Sequence, residues 1–526
     1  MKKTSLILIV SVLIIALVGC GKNEAINDKL KDELVIAIGD EPEEGFDPVM
    51  GWGRYGNPLF QSTLIDMDHN MDIVYDLATE YNISDDGLIW TFKLRDDAYF
   101  TDGEKLTAED VIFTFEEAKT SGSIVDLTNM ESVSLIDEET IQFKLKKPDL
   151  AFIYTVAATG IVPKHAYGPD YGENPIGSGP FKLIQWDKGQ QVIMEANEEY
   201  YDDVPEIKKV TMLFMEEDAI LAAAKAGQLD VAMTTPGLAD QDIGGMNLVN
   251  LKTIDNRGIT LPYVRDEGKV DEGGNKIGNN VTADIAIRRA LSYGIDRNKL
   301  VEDVLNGYGR PAYTECDGMP WANEEAIVEY DLEKAKDILD KANWVDNGDG
   351  IREKDGLKAE FNLIYPASDS TRQALATAVA LQAEDLGIKI NVEGTSWDVI
   401  GENMYSDAVL MGWGAQNPIE TYLLYHSDNM GRDYYNPEYF SSSTVDEHID
   451  NAMAARDIDE SMEHWKKVQW DGKTGVSTQG EAPWTWLVNV DHVYYIREGL
   501  DIGKQRIHPH GHSWPLVSNL KDWKWN

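Results

Sequence analysis

The chain has 526 residues, a formal charge of −45, 43% hydrophobic residues and two cysteines. That length exceeds what one hydrophobic core serves, so two or three lobes are expected. The excess of acidic side chains (92) over basic ones (47) excludes nucleic acid and anionic headgroups as partners, and so few cysteines exclude a disulfide framework.

Lys2 and Lys3 precede an apolar run from Leu6 to Val18, shorter than the roughly 17–25 residues a spanning helix needs. It reads as a secretory signal. Leu17-Val18-Gly19-Cys20 resembles the bacterial lipobox, in which the cysteine receives a diacylglyceride. Residues 1–20 are therefore expected to be a lipoprotein signal peptide and 21–32 a polar tether. If Cys20 carries lipid, Cys316 is alone and the fold must be held by its cores.

From Glu33 onward short strands and helices alternate. Leu34, Ile36 and Ile38 alternate as in a strand, as do Trp90, Phe92 and Leu94, and Ile141, Phe143 and Leu145. Thr107 is placed to cap a helix opening at Ala108. Ala219 to Ala226 predicts a helix stopped by Gly227. Asp266 to Asn280 reads as a glycine-rich surface loop. Asp331 is placed to cap a helix carrying Leu332, Ala335, Leu339 and Ala342. Phe361 to Tyr365, Ser370 to Leu386 and Ile388 to Val392 predict a strand–helix–strand unit, and hence parallel pairing in an α/β lobe.

Enzyme motifs fail on their spacing. There is no His-Glu-x-x-His, Gly-x-Ser-x-Gly or Cys-x-x-Cys. Gly472-Lys473-Thr474 lacks the upstream phosphate-loop glycine, where Lys467 stands. Asp346 to Gly350 lacks the acidic spacing of a calcium loop. One run carries coordination chemistry: Lys504, Arg506, His508, His510 and His512 all fall at even positions. In an extended chain they would share a face about 6.5–7 Å apart, and His-x-His on a strand can place two imidazoles on one metal. Pro509 and Gly511 interrupt a regular strand, which favours the alternative of a polar turn.

Trp90 to Val111 (WTFKLRDDAYFTDGEKLTAEDV) resembles the signature of the family 5 extracytoplasmic solute-binding proteins of ABC importers, with Thr101 in place of the usual histidine. Ile161 to His165, Pro175 to Phe181, Ala226 to Asp230 and Ile287 to Arg297 are similar to further family blocks, in the family order. The resemblance implies an α/β, two-lobed periplasmic-binding-protein clamshell (type II-like) with an additional family-specific lobe. By analogy, domain I is expected over 33–55, 170–258 and 490–526, domain II over 56–169 and domain III over 259–489. It implies a non-enzymatic receptor, lipid-anchored to the outer face of the cytoplasmic membrane and likewise monomeric, that binds solute between domains I and III and delivers it to ABC permease subunits.

Peptide-binding members carry an acidic Trp-x-x-Asp-Tyr-x-Asp-Pro stretch for the peptide ammonium. The matching segment here, Trp413 to Pro418, has no acid. The resemblance makes Trp413, Gln416 and Asn417 candidate solute contacts, with Trp52, Arg54 and Tyr55 as facing residues. The expected ligand is a short peptide or peptide-like solute, with no cofactor. Within the family the alternative is nickel or a nickel chelate, as transported ligand, at His508, His510 and His512. Outside it the alternatives are a secreted hydrolase or an adhesive surface protein.

Overall fold

A computed structural model describes residues 32–39, 41–42, 45–54, 56–122, 125–432, 434–510 and 514–526. The signal, Cys20, Tyr55 and His512 lie outside the described residues. Three sheets organise the chain, each with its own core.

The first lobe is a seven-stranded sheet in the order Met246–Leu251, His492–Arg497, Val231–Thr234, Glu33–Ile38, Lys209–Phe214, Gln191–Ala196 and Phe181–Asp187. Glu33–Ile38 is parallel to both its neighbours. Its alternation feeds two cores, since successive side chains leave opposite faces. Leu34, Ile36 and Ile38 pack with Phe46, Phe60 and Trp514 on one face. Ala37 packs on the other against Ile220 and Ala224 of the helix Glu217–Lys225.

The second lobe is an antiparallel four-stranded sheet, Ala78–Ile83, Ile89–Leu94, Thr140–Leu145 and Met130–Asp137. Trp90, Phe92 and Leu94 meet Ile141, Phe143 and Leu145 over the helix Ala108–Thr120. Thr107 caps that helix as expected: the Asp110 carboxylate accepts from its backbone N–H and its hydroxyl, both at 2.8 Å. The same carboxylate accepts the Lys164 N–H at 2.9 Å, and Asp102 meets the His165 ring at 2.7 Å. The family signature and the block at 161–165 are thus two halves of one fastening.

The third lobe is a six-stranded sheet, Gly309–Pro311, Trp484–Val490, Asn256–Thr260, Ala408–Met411, Glu360–Pro366 and Lys389–Thr395. The expected strand–helix–strand unit is present. Glu360–Pro366 and Lys389–Thr395 run parallel around the helix Ser370–Glu384, and Asp331 caps the helix Leu332–Lys341 through the Lys334 N–H. The Ile287–Arg297 block is a set of buried staples. Arg288 donates to the carbonyls of Thr282, Ala283 and Glu481, and Arg297 to those of Ser292, Ala312 and Trp486. Burial pushes both guanidinium groups down to about 10.

The first two lobes are welded. Gly179 N–H donates to Phe60 O at 2.9 Å, Ser62 Oγ to Ser178 O at 3.0 Å and Thr101 N–H to Gly177 O at 2.9 Å. The glycines of the Gly177-Ser178-Gly179-Pro180 block permit this approach, because a Cβ on Gly177 would fall 1.9 Å from the Phe60 carbonyl oxygen. Gly177→Ala is expected to cost about 3 kcal/mol, since the obstacle is backbone rather than a movable side chain. Gly168→Ala, where nothing lies within 4 Å, is the matched control and is expected to stay within about 0.5 kcal/mol. Thermal and urea unfolding of the pair check this.

Candidate functional site: the junction of the two large sheets

The parallel strands of both large sheets end toward the same place. Glu33–Ile38, Lys209–Phe214 and Val231–Thr234 point their C-terminal ends one way. His492–Arg497 is antiparallel to Val231–Thr234, so it begins at that edge, with Val493 opposite Thr234. In the third lobe Glu360–Pro366 and Ala408–Met411 end together. Asn256–Thr260 is antiparallel to the latter, with Gly258 opposite Met411, and so starts there. The chain passes between the sheets at 252–255 and again at 491. Carboxyl ends of strands in open α/β sheets are where ligands bind, because loops and helix starts converge there.

Asp255 sits in the first crossing, 6% exposed. Its carboxylate pairs with Arg257 at 2.5 and 3.3 Å, with His510 Nδ1 at 2.7 Å and with His492 Nε2 at 3.5 Å. Burial alone would raise its pKa, but Arg257, His510 and His492 outweigh that and hold it well below the usual carboxylate range. Arg257 faces Arg372, in the first turn of the helix Ser370–Glu384. Arg372 pairs with Asp369 at 2.6 Å, and burial, with Arg257 as a like-charged neighbour, pushes its guanidinium down to about 10. Each arginine is 8% exposed. The Nε–H groups of both, and the buried indole N–H of Trp413, have no acceptor among the described residues.

The candidate residues divide between these surroundings. Trp413 exchanges hydrogen bonds with Asn256, N–H to Oδ1 at 2.9 Å and O from N–H at 3.0 Å, and stacks on Tyr435 at 5.2 Å and 27°. Gly414, at φ +141°, lies so close that a Cβ would fall 2.1 Å from the Ile254 carbonyl oxygen. Its N–H donates at 3.0 Å to Glu420, which burial pushes up to about 8. Gln416 donates to the Ile507 carbonyl. Asn417 accepts the Ile419 N–H at 2.9 Å and starts the helix Ile419–Tyr425. Trp52 belongs to the first lobe: its indole N–H donates to Pro58 O at 2.6 Å and its ring abuts Phe46 and Trp514. Arg54 is exposed beside it.

Over the described residues 504–510 the C-terminal run does not form one cationic face. Residues 502–507 hold no regular strand, so parity does not set direction. Arg506 reaches the Met67 carbonyl at 3.1 Å, His508 meets His492 ring to ring at 3.1 Å and Gln505 at 3.2 Å, and His510 meets Asp255. Backbone bonds lay this arm across the first crossing: His508 N–H to Lys252 O, Ile254 N–H to His508 O and His510 N–H to Gly414 O. Trp413, Gln416, His508 and His510 are therefore brought together, with Trp52 and Arg54 in the first lobe. Among the described residues no three His, Cys, Asp or Glu side chains are grouped to hold a metal. Asp255, Arg257, Arg372 and His492 were missed, since no local motif marks them. The only signal was a buried-pair spacing of two between Asp255 and Arg257.

Residues 72–435 match the family described as bacterial extracellular solute-binding proteins, family 5. The chain belongs to that family. It is 32% identical over 488 residues to Protein XP55 of Streptomyces lividans, covering 89% of this chain and 86% of that protein. It is 28% identical over 515 residues to the oligopeptide-binding protein AppA of Bacillus subtilis, covering 89% and 91%. NikZ of Campylobacter jejuni, solved in complex with Ni(L-His), superposes with a TM-score of 0.78 at 25% identity, covering 94% of this chain and 99% of that one. AppA of Bacillus subtilis in complex with a nonapeptide gives 0.71 at 25% identity, with the same coverage. The fold is thus the family's two-lobed clamshell with an extra lobe, and the chain is a solute-binding component of ABC transport. No helix among the described residues is long and apolar enough to cross a membrane.

Burial drives the His508 pKa well below its ordinary value, with His492 and Arg506 adding to the shift. The unfolded chain takes up this proton near pH 6.5 and the folded chain does not. Stability is therefore expected to fall as pH drops below about 6.5, by about 1.4 kcal/mol per pH unit for this one proton. His508→Gln should remove that part of the slope. Denaturant titrations from pH 7.5 to 5 on both proteins measure it.

Proposed function

We propose that this protein is the lipid-anchored receptor of an ABC importer. It captures a short peptide or peptide-like solute between the first and third lobes and delivers it to the permease. The observation that carries the solute class is the set of unanswered donors at the lobe junction. The Nε–H groups of Arg257 and Arg372 and the indole N–H of Trp413 are buried without acceptors among the described residues. An unmet buried donor is costly, and two neighbouring guanidinium groups repel. A carboxylate or a run of peptide carbonyls answers both. The acids at the junction are already engaged: Asp255 by Arg257, His492 and His510, and Asp369 by Arg372. Recognition thus rests on the solute's acceptors rather than its ammonium group.

A second reading is a nickel chelate. The likeness to NikZ with Ni(L-His) favours it, and so does the position of His510 beside Asp255. In that case the chelate carboxylates face the arginines. The domain assignment that goes with both readings is 33–55, 170–258 and 490–526 for the fixed lobe, 56–169 for the lobe welded to it, and 259–489 for the lobe that closes.

Calorimetry with a nonapeptide, with nickel and with nickel plus L-histidine separates the readings. Arg372→Ala is expected to weaken either acceptor-bearing ligand by about 10²-fold, as for an ion-paired hydrogen bond. His510→Ala is expected to weaken only the nickel species. Peptide binding unchanged in Arg372→Ala would refute the donor assignment. A ligand at 100 times its dissociation constant should add about 2.7 kcal/mol of stability and shrink the scattering radius.

The lipid is tested separately. Cys20→Ala should release the protein from membranes on fractionation. Equal retention of the variant would remove the anchor from the proposal.

A further inference from the structure

The third lobe touches the second at a place separate from the two crossings. Leu150 N–H donates to Met453 O at 2.8 Å. The Tyr154 ring meets Trp321 edge to face at 6.0 Å and 70°. Tyr154 packs against the core of the third lobe, and Ala455 of the third lobe packs against the core of the second. Leu150 and Met453 are both 7% exposed. This seam is apolar, in contrast to the charged junction at Asp255.

The seam adds to one further contact between these two lobes, where Met71 packs against the core of the third. The second lobe is welded to the first by the bonds around Phe60, Ser62 and Ser178, whereas the third is strung from the first by two crossings, the C-terminal arm and two side-chain hydrogen bonds, Asn306 to Pro236 O and Tyr308 to Asp240. Hinge motion of the third lobe must therefore break the seam as a unit. No side chain in it belongs to the solute junction described above.

We propose that the Leu150–Met453 hydrogen bond and the Tyr154–Trp321 contact form a latch that closes with the third lobe, making Tyr154 a positioning residue for solute capture. The latch acts by setting how much of the solute-free protein is already closed. A looser latch lowers the closed population and so lowers apparent affinity, without altering any group that faces the solute. This inference rests on the clamshell and not on which solute is carried, so its test uses protein alone.

Hydrogen exchange at the Leu150 amide reads the latch directly. In solute-free wild type it should exchange faster than the amides of the strand Ile89–Leu94 in the same lobe. Tyr154→Ala should accelerate it by a further factor of about ten, the scale of a lost aromatic pair, while the strand stays protected and the scattering radius rises. Tyr154→Phe, which keeps the ring, should return to wild type. Leu150 protection equal to that of the strand, and unmoved by Tyr154→Ala, would overturn the proposal.

If Tyr154→Ala unfolds the lobe, a Leu150→Cys/Met453→Cys pair decides instead. A direct backbone bond keeps the two Cα atoms within the roughly 4.4–6.8 Å a disulfide spans, and Cys316, which is buried, is replaced by serine in this variant. The oxidised pair should hold the smaller radius and slow exchange across the seam, and reduction should reverse both. Identical radii and exchange in the two redox states would show a permanent interface and end the latch.

Discussion

A carboxylate taken out of water must find cations, and in this protein it finds them by drawing three separate stretches of chain to one point. Asp255 lies where the polypeptide leaves the first sheet for the third lobe. Its partners come from the strand that begins there (Arg257), from the strand that returns (His492) and from the C-terminal arm (His510). The crossings are thus fixed to each other electrostatically rather than by apolar packing. Removing one partner would leave the rest of a buried charge set uncompensated, which is why such clusters hold their geometry. Because the carboxyl ends of the parallel strands point at this spot, the loops and helix starts that could meet a solute converge on it as well.

The blocks by which the chain resembles its family turn out to be fastenings of the scaffold. Asp102 and Asp110 tie the second lobe to His165 and Lys164. Gly177 and Gly179 let the first two lobes share backbone hydrogen bonds. Arg288 and Arg297 are spent on carbonyls inside the third lobe. None of these is at the junction. The segment that differs from the peptide-binding pattern, Trp413 to Pro418, is the one that rests on the first crossing through Asn256 and Ile254. Scaffold and recognition are carried by different residues, so a chain can keep the first while changing the second.

Three kinds of contact join the lobes. Backbone hydrogen bonds through glycines make the weld between the first and second. Charged and imidazole groups make the hinge between the first and third. Apolar side chains make the seam between the second and third. At the weld the close approach is backbone to backbone, with the Phe60 carbonyl oxygen 1.9 Å from where a Cβ on Gly177 would fall. The seam is small and made mostly of apolar side chains.

Local periodicity was enough to find the strands Glu33–Ile38 and Ile89–Leu94, the Thr107 and Asp331 caps and the parallel unit at 360–395, because each depends on neighbours within a few residues. The family and its clamshell were legible for the same reason: the fastening blocks are contiguous. The absence of an acid between Trp413 and Pro418 was legible too. What the sequence could not give was the company of Asp255, whose partners stand at 257, 492 and 510, or the nearness of Arg372 to Arg257. The even-numbered run at 504–512 pointed to one face because alternation sets direction only in a strand. Without ladder hydrogen bonds over 502–507, Arg506, His508 and His510 each turn to a different partner. Charge pairs made across hundreds of residues are set by where the crossings bring the chain together, and only the tertiary structure decides that.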